Sequence, residues 1–348
     1  MSDPHSAPGA PRRFHVLLGI VLAGLFLFLA FSNVNVPELA RTLASVDLTY
    51  LPVILLLLGL FFLLKAIRWA YILRPVRKLG TFEVFPALMI GFAGNNVLPA
   101  HLGEFVRIFV LSRRYGLAIS QVFATVVVER LFDFLTVVGL LAFSLQFAPL
   151  SAELKMVRTG GYLVGAVCLV VFAVALASAL NPPKARKVIE SLGRFIPSKL
   201  RERAVTVGSM AVEGLGALRK PRLFFLISFL TVAGWVVNGL CLYLCAVSFP
   251  VPGWPSPVAG LLLASVMALG ITLPSAPGYI GTTQLCFVIA LGAFKINKTT
   301  ALSGSVYAFL TAYIPVTVTG LFFAWYMGFS LRTLKRTAGG GDSGKEGS

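Results

Sequence analysis

Two long apolar runs of this chain stop at the same signature. Residues 98–103 read Leu-Pro-Ala-His-Leu-Gly and residues 273–278 read Leu-Pro-Ser-Ala-Pro-Gly, each with hydrophobic sequence before and after it. Proline removes a backbone donor and glycine frees the dihedrals, so a helix ends at each. In hydrocarbon no water meets the freed backbone groups. Such a break persists only when it is buried in protein or lines a polar cavity. One interrupted apolar segment in each half of a chain is the pattern of a transport protein built from two repeats, with its site at the breaks.

The setting is a membrane. Of 348 residues, 57% are hydrophobic and 12% are charged, against about 25% charged in soluble domains. The apolar runs are about twenty residues long and do not alternate, which selects helices over barrel strands. The expected fold is all-α, a polytopic transmembrane helical bundle. Six full spans are read at Phe14–Phe31, Leu51–Leu73, 119–147, 157–180, 223–248 and 300–327. The first is taken as an uncleaved anchor, although Ala30-Phe31-Ser32 weakly matches a cleavage site. The broken segments 82–115 and 257–294 add two helical hairpins, re-entrant or spanning. Residues 1–13 and 331–348 are read as disordered tails around a single transmembrane domain, 14–330.

The net charge of +17 belongs to basic loops that stay in the cytoplasm and attract anionic headgroups. No basic soluble module for nucleic acid accompanies it. The N-terminus, the 74–81 linker, the 181–222 loop and the C-terminus are placed in the cytoplasm. The 181–222 loop holds ten Lys/Arg against Glu190, Glu202 and Glu213. Loops 33–50, 148–156 and 249–256 are nearly neutral and are placed outside. The first broken segment then begins and ends at the cytoplasmic face, the second at the outer face, which is the expectation for an inverted repeat. Lys295 and Lys298 fall outside, against the trend. The location is the cell inner membrane, with both termini cytoplasmic.

Charges within spans cost about 2.5–3.5 kcal/mol each on the lenient insertion scale and mark function by default. Glu104 and Arg107 follow the first break by one turn, and Glu129, Arg130 and Asp133 form one stripe on the 119–147 helix. Asn95 and Asn96 precede the first break; Thr282, Thr283 and Gln284 follow the second. These groups are expected to converge on one buried polar site. The spacings of Arg130 with Asp133 and Glu104 with Arg107 also suit ion pairs that merely fasten helices. Two arginines against three acids do not make a plain anion site, although helix N-termini after Gly103 and Gly278 would add positive potential. Lys65 and Arg68 are expected to snorkel to the cytoplasmic surface. His101, within the first break, suits a bystander or a pH-responsive group equally. Cys168, Cys241, Cys245 and Cys286 all lie in apolar runs and read as packing residues. No metal-spaced set, cofactor motif or soluble catalytic domain is visible, so an enzymatic role stays open but disfavoured.

Asn95 to Arg107 (Asn-Asn-Val-Leu-Pro-Ala-His-Leu-Gly-Glu-Phe-Val-Arg), Val128 to Asp133 (Val-Glu-Arg-Leu-Phe-Asp) and Leu273 to Gly281 (Leu-Pro-Ser-Ala-Pro-Gly-Tyr-Ile-Gly), in that order, resemble the transmembrane region of lysylphosphatidylglycerol synthases and the related stand-alone flippase-like membrane proteins. The resemblance covers residues 15–330. It implies a protein that moves an anionic, aminoacylated or glycosylated lipid between leaflets. A lipid-modifying transferase, or a non-catalytic subunit docking a glycosyltransferase or synthase, are the alternatives. The implied working site is Asn95, Asn96, His101, Glu104, Arg107, Glu129, Arg130, Asp133, Pro274, Ser275, Pro277, Gly278 and Gln284, with membrane lipids as partners. His101 stands where the family usually has Arg, which removes a permanent charge. The synthases' soluble aminoacyl-transfer domain has no counterpart here, so synthesis of lysylphosphatidylglycerol by this chain alone is not expected.

Overall fold

The computed structural model describes residues 24–25, 27–31, 36–98, 102–147, 221–250, 256–272 and 277–328, with isolated positions between 166 and 191. Both tails, almost all of the 157–180 span and of the 181–222 loop, and Pro99, Ala100, His101, Cys168, Pro274 and Ser275 lie outside the described residues. So does most of the Phe14–Phe31 run.

Every regular element among the described residues is helical. In chain order they are α1 (Val36–Ala44), α2 (Leu51–Leu73), α3 (Thr81–Val97), α4 (Gly103–Tyr115), α5 (Ile119–Leu145), α6 (Pro221–Val247), α7 (Val258–Ile271), α8 (Thr282–Gly292) and α9 (Lys298–Tyr326). Three of them, α2 with the turn before it, α6 and α9, are long and apolar enough to cross a membrane. Helix α5 matches them with 27 residues but carries three charges in its middle. Helices α3, α4, α7 and α8 have 17, 13, 14 and 11 residues. At about 1.5 Å per residue each falls short of a hydrocarbon core about 30 Å thick.

Both breaks stand where the signatures put them. Helix α3 ends at Val97 and α4 opens at Gly103; α7 ends at Ile271 and α8 opens at Thr282, after a short turn at Pro277–Tyr279. That turn holds Gly278 at φ 70° and Tyr279 at φ 60°. The first suits glycine; the second is rare for a residue with a bulky side chain. New backbone partners are recruited close by. Gly281 N donates to Gln284 Oε1 at 2.8 Å, so Gln284 caps α8 from within. Asn297 accepts from Thr299 N at 2.8 Å to open α9.

Helix α2 packs along α6. The hairpins α3/α4 and α7/α8 lie to either side, α3 against α9 and α7 against α5. Apolar burial does not drive helices together in lipid; close backbone approach does. Small residues stand at these crossings. A Cβ on Gly103 would strike the Gly91 carbonyl oxygen, one on Gly260 the Gly239 carbonyl, and one on Gly320 Ala93 and the Met89 carbonyl. The covering is inverted relative to a soluble protein. Phe225, Phe229, Val232, Val236 and Leu240 line the outer face of α6, and Leu310, Ile314, Val318, Phe322 and Trp325 that of α9. Such faces suit lipid.

The two ends of the bundle differ chemically. At one end Arg77 Nη1 donates to Tyr115 O at 2.6 Å, gathering Arg74, Arg77, Lys78, Arg113 and Arg114. At the other, Asp47 N donates to Ser248 O at 2.7 Å. Residues 33–50, read from their neutrality as a loop, contain the nine-residue helix α1, which packs on α9. Lys298 shares this end and donates to Leu29 O at 3.1 Å. An otherwise discordant lysine is thereby tied to a backbone carbonyl.

Candidate functional site

The site is built from α2, α4, α5 and α6. Positions 129, 130 and 133 lie within about one turn of α5, so their side chains share one sector. Glu129 is 0% exposed and Asp133 4%. Helix α4 presents Glu104 and Arg107 one turn apart, directly after the break, with Arg107 1% exposed. These five residues meet.

Two further members come from α2. Lys65 and Arg68 do not snorkel; they are 6% and 2% exposed and turn inward onto the α5 acids. Arg68 Nη1 lies 2.6 Å from Asp133 Oδ1, and its Nη2 lies 3.1 Å from Glu129 Oε1. Lys65 Nζ lies 3.3 Å from Asp133 Oδ2 and 3.8 Å from Glu129 Oε1. The reason is depth. Positions 65 and 68 are one turn apart, and α5 places two carboxylates level with them, so pairing replaces the route to water. Only the α2–α5 packing sets that level.

The rest of the network follows. Arg107 Nη1 lies 3.0 Å from Glu129 Oε2, and its other nitrogen pairs with Glu104. Arg130 Nη2 lies 3.2 Å from Glu104 Oε1 and 3.4 Å from Glu129 Oε1, with Nη1 3.7 Å from Asp133 Oδ2. Helix α6 adds neutral donors and acceptors. Trp235 Nε1 donates to Asp133 Oδ1 at 2.9 Å, and Thr231 Oγ1 accepts from Arg68 Nη1 at 3.0 Å. Aromatic faces complete the lining. Arg107 lies 5.0 Å from the Trp69 ring centroid, and Lys65 lies 5.2 Å from Phe61, 5.7 Å from Trp235 and 5.8 Å from Phe92. Cations bind such faces well when desolvated.

The inclusion of Lys65 and Arg68 reverses the sign of the site. Four cations (Lys65, Arg68, Arg107, Arg130) stand against three carboxylates (Glu104, Glu129, Asp133), a net charge of +1 instead of the −1 expected from the α4 and α5 residues alone. The cluster is not evenly enclosed. The Arg130 side chain is left 46% uncovered by protein and Glu104 22%, while the others are at most 7% uncovered. Buried ion pairs contribute little net stability, because desolvation offsets their attraction. A seven-charge network is therefore a poor fastening device, and the excess cation sits at its open side.

The breaks meet beside this cluster. The Pro277–Tyr279 turn packs on α3. A Cβ on Gly278 would come within 3.5 Å of the Asn96 carbonyl and 2.8 Å of the Tyr313 ring. Asn96 Nδ2 donates to Thr317 Oγ1 at 2.9 Å. Tyr279 lies within electrostatic reach of Glu104 and Arg130. Asn95 is 6% exposed, beside Gly103 at the α3–α4 crossing. Gln284, 5% exposed, caps α8 through its bond from Gly281 N. Trp235→Phe keeps a ring beside Lys65 but removes one donor to a buried carboxylate. It should lower stability by about 1.5–3 kcal/mol, read as an earlier thermal unfolding midpoint in detergent.

Comparison with known proteins finds relatives among membrane proteins. The glycosyltransferase AglD of Haloferax volcanii is 26% identical over 326 residues, covering 86% of this chain but 52% of that relative. The chain thus spans about half the length of AglD. Two proteins of Methanothermobacter thermautotrophicus, each called a UPF0104 membrane protein, are 24% and 23% identical. Each alignment covers 91% of this chain, and 94% and 95% of the respective relative. The family described as the lysylphosphatidylglycerol synthase transmembrane region matches residues 16–320. This chain is an integral membrane protein of the lysylphosphatidylglycerol synthase transmembrane-region family.

Proposed function

We propose that the protein is a lipid translocase, moving a lipid with a phosphate-bearing headgroup between leaflets while its acyl chains stay in the bilayer. The observation that carries this reading is the cluster's excess positive charge, held by buried pairs and presented at Arg130 beside the junction of the two breaks. Arg130 would contact the phosphate, with Glu104 and Glu129 fixing its guanidinium. Anionic phospholipids, their aminoacylated forms and glycosylated polyprenyl phosphates all offer that phosphate. The carboxylates at the same opening suit a second, cationic part of the headgroup.

The packing pattern supports an inverted repeat. Exchanging α2 with α6, α3 with α7, α4 with α8 and α5 with α9 turns each of the main contacts among these eight helices into another main contact. α2–α6 maps onto itself, α3–α9 onto α7–α5, and α4–α5 onto α8–α9. With it we propose the six-span topology, and cytoplasmic termini in the cell inner membrane with the Arg74/Arg77/Arg113/Arg114 end inward. The likeness to a glycosyltransferase over half its length favours glycosylated polyprenyl-phosphate lipids within the cargo panel. It also keeps a second reading: a membrane partner for a glycosyltransferase or synthase, docked through the basic 181–222 loop.

The test is reconstitution in liposomes with anionic, aminoacylated and polyprenyl-phosphate lipids. One class should cross, and Arg130→Ala should slow it about 10- to 100-fold, the equivalent of one lost charge-assisted hydrogen bond. The variant should fold normally, since Glu104 and Asp133 keep Arg107 and Arg68 as partners. No movement of any class by a folded protein would overturn the translocase reading and favour the docking partner.

A further inference from the structure

The seven charges of the site are not equally able to change. Arg68, Arg107 and Arg130 keep their protons in any protein setting. Each carboxylate touches at least two cations. Glu104 meets Arg107 and Arg130; Asp133 meets Arg68, Lys65 and Arg130; Glu129 meets all four. Protonating any of them would strip several partners at once. Lys65 is held differently. Its ammonium makes one hydrogen bond, to Asp133 at 3.3 Å, with Glu129 at 3.8 Å. Among the described residues, the charged groups that face it come from α5 (Asp133, Glu129, Arg130), from its own helix (Arg68) and, at longer range, from α4 (Glu104). Helix α3 presents the Phe92 ring and α6 the Trp235 ring, with Phe61 beside it on α2.

We propose that Lys65 is the proton carrier of this site, holding its proton while an anionic phosphodiester headgroup is bound and releasing it when the headgroup leaves. This rests on the anion-binding reading above. A buried excess of one positive charge is costly, and two events relieve it: an anion arrives at Arg130, or Lys65 Nζ passes from ammonium to amine and gives its proton to water. Either event removes the need for the other. Anion binding therefore tightens Lys65's hold on its proton, and by reciprocity protonation tightens anion binding. Such linkage couples lipid movement to a proton gradient without a nucleotide site.

The test uses the full chain in detergent, titrated calorimetrically with dihexanoyl phosphatidylglycerol, whose phosphodiester keeps one charge across the range. Glycerophosphoglycerol, the same headgroup without chains, separates headgroup recognition from chain binding. Runs in two buffers of different ionisation enthalpy, from about pH 6 to pH 9, count protons exchanged. The expected result is uptake of up to one proton per ligand, with affinity weakening by up to about tenfold per pH unit as Lys65 titrates. Lys65→Arg should bind with no such uptake and a flat pH profile. Lys65→Met, apolar and of similar length, should bind weakly at every pH and serves if the arginine variant does not fold. Wild-type binding without proton uptake, or uptake unchanged in Lys65→Arg, would overturn the assignment. Absence of binding by either ligand would instead sink the anion-site reading, and this inference with it.

Discussion

Glu129→Gln is expected to lose about 3–5 kcal/mol of stability and all transport. Glu129 is 0% exposed and takes ion pairs from Lys65, Arg68, Arg107 and Arg130. An amide has nearly the same shape but no charge, and its nitrogen would face guanidinium donors. The change also raises the buried charge of the cluster from +1 to +2. Removing one partner of a buried network costs far more than the network's net contribution to stability, because the remaining charges stay desolvated. The unfolding midpoint in detergent and the fraction of monodisperse protein report this directly. The double change Glu129→Gln with Arg130→Gln restores the original charge sum and should recover part of that stability. It should remain inactive, because the cation at the open side is gone. An active, folded double variant would show that the network only fastens helices.

Gly103→Ala is expected to be the most damaging added methyl among the described glycines. Gly103 opens α4 directly after the first break, and a Cβ there would meet the Gly91 carbonyl oxygen, with Asn95 N and Oδ1 at 2.5 Å. Two of these three atoms are backbone, which no rotamer change can move. Helices α3 and α4 would have to separate, and Gly91 packs in turn against Cβ and Cδ of Arg107. Overpacking costs about 1–3 kcal/mol at a yielding site and more at a rigid one. We expect the upper end or beyond, together with loss of transport as Arg107 shifts from Glu129. Gly139→Ala, where nothing lies within 4 Å of the added methyl, should be neutral in the same unfolding assay. Equal behaviour of the two would dismiss close backbone approach as the basis of the hairpin.

Much of this protein is legible from its chain because membrane helices are specified locally. Length, apolarity, proline and glycine act within a few residues. The reading of Leu51–Leu73 is reproduced residue for residue, and those of 119–147, 223–248 and 300–327 to within two residues. The breaks at residues 98–103 and 273–278 appear where backbone chemistry puts them, and the α5 stripe follows from helical geometry alone. Convergence of Glu104 and Arg107 with that stripe was an inference from the cost of charge in hydrocarbon, and that cost is general enough to be dependable. Helix α1 was lost to the local reading because nine mixed residues carry too little apolar signal.

What the chain alone could not reveal was where Lys65 and Arg68 go. Both stand toward the end of an apolar helix that closes in Arg74, Arg77 and Lys78, and every local rule sends such side chains to water. Helix α5, more than sixty residues later, sets two carboxylates at their depth, and a guanidinium at 2.6 Å from Asp133 needs no other solvent. That single packing relation changes the net charge of the site from −1 to +1 and leaves Arg130 as its open member. The sequence by itself determined that charges would be buried around two broken helices; tertiary structure decided how many and of which sign, because the level at which one helix meets another is a property of neither helix alone.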